Sequence, residues 1–154
     1  MKKLIIFTII LTLAVPAFSQ TKINQPGTRE HQLNEQYCSG LFNTPEGIYF
    51  DLLDDITAAS AKGYLNILDW LNGRVAGLQI YTTRGNTRLP YIRNSRAVIY
   101  VDEVQVTPDF MNSLSVNDIA MIKVIKGAFA GGFNTAGGVI AIYTVRGDED
   151  EEDE

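Results

Sequence analysis

One cysteine, Cys38, and one histidine, His31, stand in 154 residues. A lone cysteine forms no internal disulfide, so no cross-linked framework holds this chain together. His31 and Cys38 lie in one polar stretch without a second pair to complete a zinc tetrahedron. A single histidine in that stretch supports no Ser–His–Asp set, and neither a glycine-flanked nucleophilic serine nor a His-Glu-x-x-His run occurs. The sequence therefore offers no catalytic residue, no cofactor site and no metal site, and it reads as a non-enzyme. Long apolar runs are also missing. The longest, Leu4 to Val15, has 12 residues, against about 20 for a membrane-spanning helix.

That short run has another reading. Lys2 and Lys3 precede it, and Ala17-Phe18-Ser19 places small residues before Gln20. Residues 1–19 are thus expected to be a secretory signal, removed at Gln20 or Thr21, leaving a mature chain with no transmembrane span. The opposite end, Asp148 to Glu154, is seven consecutive acids. Adjacent like charges repel and bury nothing, so a disordered, solvated tail is expected. The formal net charge of −5 is negative only because of this tail: without its seven acids, 11 acidic residues face 13 basic ones. Without the signal and the tail the body is near neutral, with no nucleic-acid footprint.

Between the ends, residues 20–43 read as a polar arm or linker with no clean apolar period. Thr44-Pro45-Glu46 carries the marks of a helix start: a capping hydroxyl, proline in the first turn and an acid near the positive end. Ile48, Leu52 and Ile56 follow at spacings of four, which would place Asp51 and Asp55 on one solvated face. Tyr64, Ile67, Leu68 and Leu71 predict a second helix, with Trp70 at the edge of its stripe. Asn72-Gly73 ends it. Strands are predicted over Leu78–Thr82, Leu89–Ile92, Ala97–Asp102, Val104–Val106, Met121–Lys126 and Val139–Val145. Pro90 argues for an edge position, and Pro108–Leu114 for a helical turn. The expected core includes Leu68, Leu71, Ile99, Val101, Val124, Ile140 and Ile142. Short helices among several strands imply an α+β (mixed α/β) fold, a small mixed sheet flanked by short helices. Lys126-Gly127-Ala128-Phe129-Ala130-Gly131-Gly132 is half of a phosphate loop. It lacks Gly-Lys-Ser/Thr, and a strand follows where a helix is needed.

Four blocks occur in order: Leu71-Asn72-Gly73-Arg74-Val75-Ala76-Gly77-Leu78-Gln79-Ile80, Tyr100-Val101-Asp102-Glu103-Val104, Asn117 through Gly127, and Gly137-Gly138-Val139-Ile140. Together they resemble the plug domain of TonB-dependent outer-membrane receptors, particularly the SusC/RagA-like nutrient receptors. One departure stands out: Glu103 occupies a hairpin position where the family commonly has glycine. A tight hairpin needs positive φ there, so a wider turn is expected.

The resemblance implies a single plug-like domain over residues 44–147. It implies a gate with no chemical step, and a place in the periplasm or at the outer membrane. In these receptors the plug closes a barrel of about 22 strands of roughly ten residues each. No such stretch follows Gly147 here, and the arm shows no clear TonB box. Three readings are open. The chain is a free-standing plug-like binding or gating module whose partner is an envelope protein, an outer-membrane β-barrel being the candidate. It is the truncated plug part of a larger receptor. Or it is an unrelated extracytoplasmic enzyme or small-ligand binder. For the first, the expected partner-binding surface is two loops, Thr83–Arg88 with Arg84 and Arg88, and Ala128–Ala136 with Phe129 and Phe133. Arginine and aromatic side chains are the common anchors of protein interfaces.

Overall fold

The computed structural model describes residues 27–38, 40–126 and 136–146. The segment read as a signal, the acidic tail and most of the glycine-rich loop lie outside the described residues. Two sheets organise the rest. The larger has the strand order β1-β7-β8-β5-β6: β1 is Ile48–Asp51, β5 Val98–Val101, β6 Val104–Val106, β7 Ile119–Ile125 and β8 Val139–Thr144. Only β5 and β8 pair in parallel; the other neighbours are antiparallel. The smaller sheet runs β2-β3-β4, with β2 Leu78–Thr82, β3 Arg88–Ile92 and β4 Ser95–Arg96. With short helices added, this is the expected α+β architecture with a mixed sheet.

The central strands β7 and β8 are buried along both faces, which explains why their sequences are apolar rather than alternating. One face carries a core of Ile99, Val101, Ile122, Val124, Ile140 and Ile142 against Leu68, Trp70 and Leu71. All seven residues expected in the core lie in this cluster. The other face packs Met121, Ala141 and Tyr143 against Leu33, Tyr37, Cys38 and Phe42.

That second layer comes from the polar arm. Arg29–Tyr37 forms helix α1, capped by Thr28, whose side chain accepts from the His31 amide. Only Leu33 and Tyr37 reach the core from it, with Asn34 buried beside them. Two apolar contacts one turn apart make no extended stripe, so nothing in the pattern distinguished this helix from a linker.

The helix expected from Thr44-Pro45-Glu46 is not there. The Thr44 hydroxyl accepts from the Glu46 amide, closing a local turn, and the chain then enters β1 opposite Val124 to Met121 of β7. A ladder to a long buried strand outweighs local capping preference. The helix, α2, is Asp55–Ala61 instead, capped by Asp54 through the Thr57 amide. Hydrogen bonds from Thr57 hold the Asp54 carboxyl below its usual range. Asp51 and Asp55 consequently share no helix face: Asp51 ends β1 and meets Arg29 at 2.6 Å. Ile56 is 82 % exposed and no part of the core.

Helix α3, Ile67–Leu71, is shorter than the apolar period implied. Asn66 caps it, and the same side chain donates to the Met111 carbonyl and Asn112 Oδ1, tying α3 to the 3-10 turn Pro108–Asn112. Trp70 is buried, not at an edge; its indole donates to Ser60 and its ring meets Phe50 edge to face. Among the described residues Arg74 touches no carboxylate. It lies over the Trp70 ring and donates to the Trp70 carbonyl.

Two turn and edge expectations also change. β3 is the middle strand of its sheet. Pro90 is tolerated because β4 pairs only with Tyr91 and Ile92, and beyond them the Pro90 carbonyl takes just the Ala97 amide. Its missing N–H faces this sparsely paired side, where no ladder bond is lost. The β5–β6 turn is tight after all: Val101 pairs with Val104, leaving Asp102 and Glu103 at φ +47° and +67°. Side-chain bonds hold this unfavourable pair. Asp102 accepts from the Thr144 amide and hydroxyl, and Glu103 from the Gly40 amide.

Candidate functional site: a hairpin tip and a buried lysine

The β2–β3 hairpin keeps an unbroken register from Leu78–Ile92 to Thr82–Arg88. Its tip, residues 83–87, closes on itself: Thr83 exchanges backbone bonds with Thr87 and Asn86, and Asn86 sits at φ +62°. Arg84 stands exposed on this tip and makes no hydrogen bond or ion pair among the described residues. Arg88 does the opposite. Its Nε and Nη2 both lie 3.0 Å from Asp69 Oδ2, and its Nη1 donates to Asn112 Oδ1 and the Asn86 carbonyl. Thr87 adds a short bond to Asp109. Arg88 thus pins the hairpin to α3 and the 3-10 turn, and Arg84 is what the pinned hairpin presents. Phe129 and Phe133 lie outside the described residues.

The most unusual side chain is not among the expected site residues. Lys123 is fully buried in the middle of β7. Its ammonium donates to Asn34 Oδ1 at 2.6 Å, the Phe42 carbonyl at 2.6 Å and the Thr44 carbonyl at 2.7 Å. Three N–H bonds meet three oxygens, and the Tyr49 ring lies 4.8 Å away. The Tyr49 hydroxyl bonds Asn34 Oδ1 and the Thr44 carbonyl, closing the network. Burial lowers the Lys123 pKa to about 8, so the group is a cation at neutral pH. Burial also raises the Tyr49 phenol and the Cys38 thiol above their usual values. With every proton directed at a carbonyl oxygen and no solvent access, Lys123 is a clamp on the N-terminal segment, not a nucleophile. One lysine within an otherwise apolar seven-residue strand was the available signal.

A second set of polar contacts holds the same segment. Glu103 takes the Gly40 amide, while Arg146 donates to the Gln36 and Tyr37 carbonyls and lies over the Tyr37 ring. No cluster of His, Cys, Asp or Glu able to hold a metal occurs among the described residues. A groove of about 400 Å³ runs along residues 95–99 and 105–108. Arg96 is the one titratable group lining it, so it lacks the convergent polar set of a small-ligand site.

The family model of the TonB-dependent receptor plug domain matches residues 55–139, more than half of the chain. Solved receptors share the fold. The RagAB peptide importer in its open-open state aligns at a TM-score of 0.54 and 24 % identity, over 69 % of this chain and 13 % of that one. Another structure of the RagAB peptide transporter gives 0.52 and 28 % identity, over 70 % of this chain and 13 % of that one. The siderophore receptor PirA from Acinetobacter baumannii gives 0.52 and 19 % identity, over 77 % and 19 % respectively. The chain therefore spans less than a fifth of the length of these receptors. No curated protein matches it. The match over α2 through the first residue of β8 and the shared fold lead to one assignment: this chain belongs to the TonB-dependent receptor plug domain family.

Proposed function

We propose that this chain is a non-enzymatic, plug-like binding and gating module of the cell envelope, exported by residues 1–19 and free-standing. Its partner is an envelope protein, an outer-membrane β-barrel. The plug-family match carries this reading. The contact is made by Arg84 on the hairpin tip together with Phe129 and Phe133, while Arg88 holds the hairpin in place. The exposure of Arg84 on a tip braced by Arg88 supports this division.

The test places a photo-crosslinking residue at position 84 in intact envelopes and identifies the adduct. A barrel protein is expected. Arg84→Glu combined with Phe129→Ala should reduce capture with the melting temperature nearly unchanged, and deleting Asp148 to Glu154 should leave capture intact. Loss of capture on tail deletion, with the double variant unaffected, would overturn the assignment.

One observation favours a second reading, a plug portion of a larger receptor: the chain spans only 13–19 % of the receptors it matches. Sequencing the coding region beyond Glu154 separates the two, since an in-frame barrel favours the second.

A further inference from the structure

From Trp70 to Val101 the chain contains five arginines, no lysine and no acidic residue. Those residues build α3's last turn, the small sheet and β5. Two of the arginines are engaged by neighbours, the exposed Arg74 on Trp70 and the half-buried Arg88 on Asp69. Arg84, Arg93 and Arg96 are exposed as well.

The register places them. Leu78, Ile80 and Ile92 turn one side of the small sheet toward the core. Alternation puts Gln79, Tyr81, Leu89 and Tyr91 on the opposite side. Tyr91 stands between Gln79 and Arg96, and Arg93 stands opposite Gly77, its Cγ beside that glycine on the same side. Tyr81 and Tyr91 meet edge to face at 5.3 Å. Lys126 adds charge nearby: it donates to the Ala76 carbonyl, and its pKa is lowered first by burial and then by Arg93. The outer side of β2–β4 is thus a positively charged surface built on two tyrosines, with Arg84 on the hairpin tip at one end.

We propose that this side of the small sheet is a docking surface for an acidic protein surface, one rich in carboxylates. This deepens the proposed docking function by naming the partner's chemistry, and it rests on that reading. The sign of the charge excludes a basic partner. Arginine forks match carboxylates in bidentate fashion, and tyrosine supplies contact area at low entropic cost. A lipid surface fits less well. Interfacial binding uses lysine-rich clusters with apolar side chains that insert, and here Leu89, the only aliphatic residue of the face, is half-buried.

The test measures binding of a fluorescent oligo-glutamate peptide to the full chain, with vesicles containing phosphatidylglycerol as the second arm. The chain is net acidic, so binding of a polyanion must be local. Saturable binding is expected, weakened by salt. It should fall at least about tenfold, on the order of 1.4 kcal/mol, in Arg84→Gln/Arg93→Gln. Tyr81→Ala, which keeps every charge, should also weaken it, and both variants should melt like the parent. Undetectable peptide binding, or binding indifferent to both variants, overturns the proposal. Equal or tighter binding to vesicles assigns the face to lipid and overturns it too. Binding that appears only after Asp148 to Glu154 is removed assigns the face to the chain's own tail. A dimer dissolved by the arginine substitutions assigns it to a second copy. Either outcome overturns a separate partner. Envelope capture through position 84 that persists when oligo-glutamate fails leaves the docking function standing and removes only this surface.

Discussion

Lys123 shows how much one side chain can organise. Its three acceptors belong to three points of the N-terminal segment: Asn34 on α1, and the carbonyls of Phe42 and Thr44. Without it the Thr44 amide still bonds the Phe42 carbonyl, but the single Tyr49 hydroxyl proton is shared between Asn34 Oδ1 and the Thr44 carbonyl, so one of those two is left short of a donor. Lys123→Met should therefore cost about 1–3 kcal/mol, the range for hydrogen bonds to a charged group offset by relief of its desolvation. Lys123→Glu, which faces a buried carboxylate with carbonyl oxygens, should cost about 3–5 kcal/mol or more. Urea denaturation measures both. The pH dependence follows from the lowered pKa. Folded Lys123 titrates at about 8, below its unfolded value of 10.5, so the unfolded chain binds more protons between these values. Its contribution is fully present above the unfolded pKa and is lost as pH falls toward 8. Tyr49 and Cys38 are shifted upward and act in the opposite sense. The difference between wild type and Lys123→Met isolates the lysine, and it should move in favour of wild type from pH 8 to 10.5. A flat difference across that window would show that Lys123 keeps its unfolded pKa.

Among the elements, α2 and α3 form a contrast that burial explains. Leu71 is fully buried in α3, whereas Ile56 on α2 is 82 % exposed. Leu71→Ala should cost about 2–5 kcal/mol, and Ile56→Ala should stay within about ±0.5 kcal/mol, by equilibrium denaturation. The hairpin gives a second contrast. Arg88→Ala removes charge-assisted bonds to Asp69 and Asn112 and should cost about 1.5–3 kcal/mol. Arg84→Ala removes no internal bond among the described residues and should change stability by no more than about 0.5 kcal/mol. Equal costs for the two arginines would contradict the separation of anchor from presented residue.

For the whole molecule, the two faces of the main sheet have different covers. The face toward α3 is closed by residues within the family match, whereas α1 and the turn after it, which cover the other face, precede residue 55. The N-terminal cover is joined by Lys123, Glu103 and Arg146 from three strands or their ends. If residues 1–19 direct export, the mature chain begins near Gln20 or Thr21 and retains this cover. Intact-mass measurement of the envelope form checks this, and retention of Met1 would count against export by that segment.

What the sequence determined by itself was the apolar body of the fold. The runs at Ala97–Asp102, Met121–Lys126 and Val139–Val145 predict strands, the first covered on both faces, and the spacing of Tyr64, Ile67, Leu68 and Leu71 aims a helix stripe at a core. The ordered glycine and valine blocks also carried the family resemblance. Tertiary structure decided the rest, for a common reason: each outcome depends on a partner distant in sequence. Thr44-Pro45-Glu46 lost its helix to a ladder with β7. Glu103 accepts positive φ because Gly40 bonds its carboxylate, as Thr144 does that of Asp102. Arg84 and Arg88 look alike four residues apart, and only Asp69 and Asn112 make one of them an anchor. Lys123 is a solvated charge in any local reading. It becomes a clamp because α1, which has no apolar stripe of its own, is brought over it by the sheet it helps to cover.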